Sequence, residues 1–157
     1  MGGVAVRSGF WPNAELAAAS TTDRGADVHD DTMQFQISFD RCPSYVHIIS
    51  SGEASVRGFE RLITAMLASP AWQPGLKQLV DHRNLRIGNF SRNDIEAIVE
   101  FVKSRREKIG NGRCAFVVGD TLGFGLVRMY DLLGDERIHP ELRIFYSIEE
   151  AVAWLTE

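Results

Sequence analysis

Only two cysteines, Cys42 and Cys114, occur among the 157 residues. Thiols on two different elements make no disulfide framework, so reduced cysteines and a cytoplasmic location are expected. There is no excess of basic residues: 17 Lys and Arg stand against 21 Asp and Glu, a formal charge of -4. Phosphate-dominated nucleic-acid binding draws its affinity from clustered cations, and no nucleic-acid partner is expected. No apolar run approaches the roughly 18 residues that span a bilayer, and no basic-then-apolar leader opens the chain. The four histidines, His29, His47, His82 and His139, never pair with a second His or Cys at zinc-ligand spacing, so no metal site is expected. A GxSxG elbow is absent, as are GxGxxG and GxxxxGK[ST]. Gly119 to Gly125 does follow a strand pattern and open a helix pattern, but it lacks Lys, and Asp120 stands where a phosphate would sit. Tight turning and close helix packing account for those glycines. No catalytic constellation and no cofactor are expected.

What remains, at 45% hydrophobic and 24% charged, is the profile of one domain with a single core. Residues 1–32 carry few large apolar groups and read as a flexible N-terminal tail, with a short helix at Asn13 to Ala19 that needs something to dock on. Residues 33–157 form the domain. Gln34 to Asp40 alternates Phe35, Ile37 and Phe39 against Gln36 and Ser38, a half-buried strand. A turn at Cys42 to Ser44 returns it as Tyr45 to Ser51, giving an antiparallel hairpin. Val56 to Leu67 repeats at helical spacing after Ser55 as N-cap and ends at Pro70. Leu76 to Asp81 is a third strand, His82 to Phe90 a polar loop, and Ser91 with Asp94 at N3 opens a second long helix. Its acidic start and basic end, Lys103 to Lys108, complement the helix dipole.

The unbroken apolar run Cys114 to Val118 reads as a strand covered on both faces. Gly119 to Thr121 turns it into a helix, Leu122 to Leu133, apolar on more than one side and therefore expected to be pressed between neighbours. Leu142 to Tyr146 is the last strand, and Ser147 caps a final helix through Leu155. The order β-β-α-β-α-β-α-β-α predicts an α/β fold: a mixed, mostly parallel five-stranded sheet with helices on both faces.

This succession, over about Gln34 to Glu157, resembles STAS domains such as the bacterial anti-sigma factor antagonists, the SpoIIAA-like fold, which is shared by the lipid-carrying CRAL-TRIO domains. Gly125, Arg128, Met129 and Tyr130, with Ala151, Trp154 and Leu155, resemble small uncharacterised bacterial STAS-like proteins with a Gly-x-x-Arg-Met-Tyr helix and an Ala-x-x-Trp-Leu end. For the antagonists, the resemblance implies a phosphorylatable Ser or Thr directly after the third strand, beside an Asp. Asp81 fits that Asp, but His82, Arg83 and Asn84 follow it, and the nearest serine at a helix start is Ser91. The resemblance implies a non-enzymatic regulatory or protein-interaction module that binds a protein partner or itself. The CRAL-TRIO likeness implies instead a small-molecule or lipid site in a pocket between sheet and helix.

By position, the carboxyl ends of the strands gather Asp81, His82 and Arg83 with Asp120, and ligands of open α/β sheets bind at such ends. Arg83 and Arg128 offer bidentate recognition of a carboxylate or phosphate. The competing expectation is that Asp81 with Arg128, or Asp120 with Arg83, simply tie strand ends to helices. Tyr130 belongs to the apolar helix, together with Phe124, Leu126, Val127 and Met129, whose outer side would serve a partner if left uncovered. Trp72 is a further candidate for that role.

Overall fold

A computed structural model describes residues 32–41, 44–135 and 138–157. The short helix expected at Asn13 to Ala19, nearly all of the expected tail, and Cys42 and Pro43 of the first turn lie outside the described residues. Five strands form one sheet in sequential order: β1 (Gln34–Ser38), β2 (Val46–Glu53), β3 (Gln78–Arg86), β4 (Cys114–Val117) and β5 (Leu142–Phe145). β1 pairs antiparallel with β2, and every other pairing is parallel. Five helices accompany them: α1 (Val56–Ala68), α2 (Arg92–Ser104), α3 (Arg106–Ile109), α4 (Thr121–Gly134) and α5 (Ile148–Thr156). The expected α/β architecture is the observed one, with α3 as a short addition.

Side-chain alternation along the strands separates two cores. The front face of the sheet presents Ile37, Ile48, Val80 and Phe116 to Leu62 and Met66 of α1, Ile95, Ile98 and Val99 of α2, and Val127 of α4. The back face presents Leu79, Ala115 and Val117 to Ala151, Trp154 and Leu155 of α5. Parallel neighbours joined in order by crossovers of one hand place α1, α2 and α4 on the same side, and only the helix after the last strand reaches the other. The helix starts are set locally. Ser55 accepts from Gly58 N–H (2.9 Å), and Ser91 forms a reciprocal capping box with Asp94. Ser147 accepts from Glu150 N–H (3.4 Å).

Three expectations are corrected. The third strand runs on to Arg86 through most of the segment read as a loop, pairing Asn84, Leu85 and Arg86 with Ser51, Gly52 and Glu53 after a register shift. A ladder is a backbone interaction and needs no run of apolar side chains, and here only Leu85 of Asn84, Leu85 and Arg86 packs against the front core. The second correction concerns α4, which is not pressed between neighbours. Val127 is buried, yet Leu122 is 57% and Leu132 69% exposed, because α4 packs on the sheet and α2 along one side only. The third concerns its glycines. A Cβ on Gly119 would stand 3.1 Å from the Arg83 carbonyl oxygen and one on Gly123 3.3 Å from Val118, so close approach explains both, whereas Gly125 has nothing within 4 Å.

Candidate functional site

The residues at the strand ends separate onto opposite faces of the sheet. Asp81 follows Leu79 by two positions and shares its back-face direction, while His82 points to the front among the helices. Asp81 is buried, and its Oδ1 accepts from Arg83 N–H (3.1 Å) and Nε (2.9 Å), while Oδ2 accepts from Nη2 (2.7 Å). Burial pushes the Asp81 carboxyl up, but the hydrogen bonds and charge of Arg83 outweigh it and hold the group below the usual carboxylate range. Those same contacts raise Arg83. The acidic and basic groups do pair, but within one strand; the expected ties of Asp81 to Arg128 and of Asp120 to Arg83 are not formed. His47, beside Asp81 on the back face, is lowered by burial.

On the front face the sheet and α1, α2 and α4 enclose an apolar cavity of ≈ 130 Å³. His82 lines it near the strand ends, with its ring 5.5 Å from those of both Phe59 and Phe116. Ser50 Oγ lies 2.5 Å from its Nδ1. The ring is partly accessible through the cavity, yet the surrounding apolar groups push its pKa down to about 4. Tyr130 projects inward from α4, and its hydroxyl lies 3.2 Å from Nε2 of His139, which burial also lowers to about 4. Burial raises the Tyr130 hydroxyl and the neighbouring Cys114 thiol. Gln78, at the start of β3, completes the polar part of the lining. Gln78 Nε2 and His139 Nδ1 find no hydrogen-bond partner among the described residues.

Of the residues singled out from sequence, His82, Tyr130 and its helix neighbours Leu126 and Val127 line the cavity. Asp120 sits at its mouth with Arg83, where it is the N-cap of α4 and accepts from Gly123 N–H (2.8 Å). Arg128 lies on the outer side of α4, paired with Asp131 (3.0 Å). Ser91 Oγ lies 2.8 Å from Asp94 Oδ2. A phosphate on Ser91 would meet that carboxylate. Trp72 packs against the front core and donates from Nε1 to the Lys108 carbonyl (2.7 Å), as a lid over the α3 end. Asp81 and His82 point to opposite faces of the sheet, and Asp81 is engaged by Arg83. Among the described residues no cluster of three or more His, Cys, Asp or Glu is placed to hold a metal ion.

Sequence reasoning missed Gln78, Ser50, His82 as a cavity group and His139. Gln78 did carry a signal, since it alternates in phase with Val80 and so occupies a core-facing position with a polar side chain. His139 lies in a connection without periodicity and carried none.

No family model matches the sequence, and no curated protein matches it either. Among solved structures, the chain superposes on an uncharacterised protein of the DUF3478 family with a SpoIIAA-like fold from Shewanella loihica PV-4. The TM-score is 0.52 at 16% identity, over 83% of this chain and 99% of that one. The fold is SpoIIAA-like. At that identity the likeness carries the architecture of the SpoIIAA-like domain and no residue of its site. No helix among the described residues of the SpoIIAA-like domain is long and apolar enough to cross a membrane.

Proposed function

We propose that this SpoIIAA-like domain is a non-enzymatic interaction module that associates with a second copy of itself through the outer face of α4. The observation that carries this reading is a set of large apolar side chains left in water around one helix: Leu132 at 69% exposure, Leu122 at 57%, Phe124 at 37% and, beside it, Tyr146 at 53%. Phe124 and Tyr146 are stacked with centroids 5.9 Å apart, a preformed flat surface. Exposed Leu is ordinary singly, but apolar groups gathered on one element mark a contact surface. Arg128 and Asp131 stand together on the same helix, so two copies related by a two-fold axis bring both signs of charge to each side. Gly125, open on its outer side, allows close approach of a second backbone.

Light scattering of the full chain at high micromolar concentration tests it. A dimer is expected, and Leu122→Glu with Leu132→Glu should weaken it by at least about 100-fold while leaving the circular dichroism unchanged. A monomer at that concentration overturns the proposal, as does a dimer that the double variant leaves intact.

A second reading, ligand binding, is favoured by a separate observation: the cavity between the sheet and α1, α2 and α4 is mostly apolar and is lined by a few polar side chains, among them His82 and Tyr130. Such a lining with few, placed polar groups is the ordinary form of a small-molecule site.

A further inference from the structure

The unpartnered polar atoms in the lining of the front-face cavity are not alike. Gln78 Nε2 and His139 Nδ1 are closed off from any open space. His82 differs: its ring lines the cavity and keeps part of its surface accessible. Its Nδ1 lies 2.5 Å from Ser50 Oγ, while Nε2 has no partner among the described residues and is not one of the enclosed nitrogens. Phe59 and Phe116 hold the ring from two sides, each 5.5 Å away, at 76° and 50° to its plane. Ser50 decides which nitrogen carries the proton. It is wholly buried, so its hydroxyl hydrogen goes to a protein acceptor, and the two within reach are Nδ1 at 2.5 Å and the Asp81 carbonyl at 3.5 Å. The shorter contact takes it. Nδ1 is then an acceptor, and the ring proton sits on Nε2 as a donor open to the cavity.

We infer that the front-face cavity takes a small apolar molecule carrying one hydrogen-bond-accepting oxygen, and that Nε2–H of His82 binds that oxygen. This rests on the ligand-binding reading and adds to it the class of ligand and its polar contact. The size follows from the ≈ 130 Å³ of space, slightly less than the roughly 150 Å³ cavity that accepts a benzene ring, so a single six-membered ring or a short alkyl chain fits. The class follows from the donor. Burial holds the His82 ring at about 4, so at neutral pH it offers an uncharged N–H, which suits a neutral acceptor such as a ketone or an ether. Few placed polar groups in an apolar lining set a ligand's orientation rather than supply its binding energy. Here the orientation follows from β3. Val80 lies two residues before His82, turns to the same face and lines the cavity further from the strand ends. The oxygen therefore stays near the mouth, and the hydrocarbon goes below it, between Val80 and Val127.

Cyclohexanone and methylenecyclohexane, which differ only in C=O against C=CH2, are the probes. The full-length, 15N- and 13C-labelled protein is titrated with each at neutral pH, following the ring nitrogens of His82 and the methyl groups of Val80 and Val127. Before either is added, the spectrum should show His82 protonated on Nε2 alone. Both probes are expected to shift the methyl signals, and only the ketone to move Nε2. The ketone gives up hydration that the hydrocarbon never had, so each probe is compared with itself across a substitution. In His82→Phe, which keeps a ring between Phe59 and Phe116, the ketone should bind about ten-fold more weakly and the hydrocarbon less than about two-fold. A proton on Nδ1, a ketone that does not bind or binds without moving Nε2, or equal losses for the two probes overturns the acceptor inference while binding of the hydrocarbon keeps the ligand reading. Binding of neither probe overturns both. The protonated nitrogen and the wild-type titrations decide even where the variant fails to fold.

Discussion

The two faces of this sheet are finished differently. On the back, α5 alone seals Leu79, Ala115 and Val117, and the closure is dense: Ala115, Val117, Ala151 and Leu155 have no exposed surface. Trp154 contacts Phe145 and lies under the guanidinium groups of Arg113 and Arg143, 5.3 and 5.1 Å from its ring centroid. Lys77 and Arg113 donate to the carbonyls of Leu155 and Trp154, satisfying the end of the helix with positive charge. On the front, three long helices approach the sheet and leave a cavity between them, lined by His82, Tyr130, His139 and Gln78 as well as by aliphatic groups. One helix on a flat face can settle to close packing. Three helices packed against each other and against the sheet leave residual space between them. The back face is built for stability, and the front is the face with room for a ligand.

The largest expected effect lies on the back. Trp154→Ala removes the residue that α5 is packed around and should lower unfolding free energy by about 3–5 kcal/mol in urea titration. A loss below about 1 kcal/mol would mean that α5 is not the seal described here. Next comes acid, which acts on the front. His139 is held at about 4 in the fold against an ordinary 6.5, so the unfolded chain binds the extra proton between those values. Stability is therefore full above about pH 6.5 and falls as pH drops toward 4, by about 3 kcal/mol for this residue. His82, shifted in the same direction, adds to the loss, and its partial access through the cavity makes its share smaller. His139→Phe should flatten that part of a urea midpoint against pH curve; an unchanged slope would remove His139 from the cause. The smallest effect is the sharpest comparison. Adding bulk as Ala115→Leu on the sealed back face should cost about 1–3 kcal/mol, whereas Val127→Leu beside the cavity should cost less than about 1 kcal/mol. Equal penalties in thermal unfolding would erase the difference between the faces.

Much of the architecture was legible before any coordinates. The alternation of Phe35, Ile37 and Phe39, the apolar run at Cys114, and Ser55, Ser91 and Ser147 ahead of periodic segments report on interactions that close within a few residues. Such signals survive any tertiary arrangement, and they give the element order and hence the mixed sheet. The candidate site was legible only in pieces. Tyr130 was singled out for its apolar helix, without its hydroxyl's partner. Asp81 and Arg83 were picked for a strand end, but their mutual pairing follows from sharing one strand face. The polar stretch after Asp81 was read as a loop because composition registers side chains, while the strand there is held by backbone bonds to Ser51, Gly52 and Glu53.

The sequence by itself determined which segments become the main strands and helices, most of the faces they turn inward, and that a mostly parallel sheet results. Tertiary structure alone decided that α4 has a wet outer side, that Asp81 and His82 part to opposite faces, and that Gln78, Tyr130 and His139 line one cavity. The reason is range. Periodicity and capping are set by neighbours within a turn or two, whereas a cavity is the misfit left among elements that are far apart in the chain.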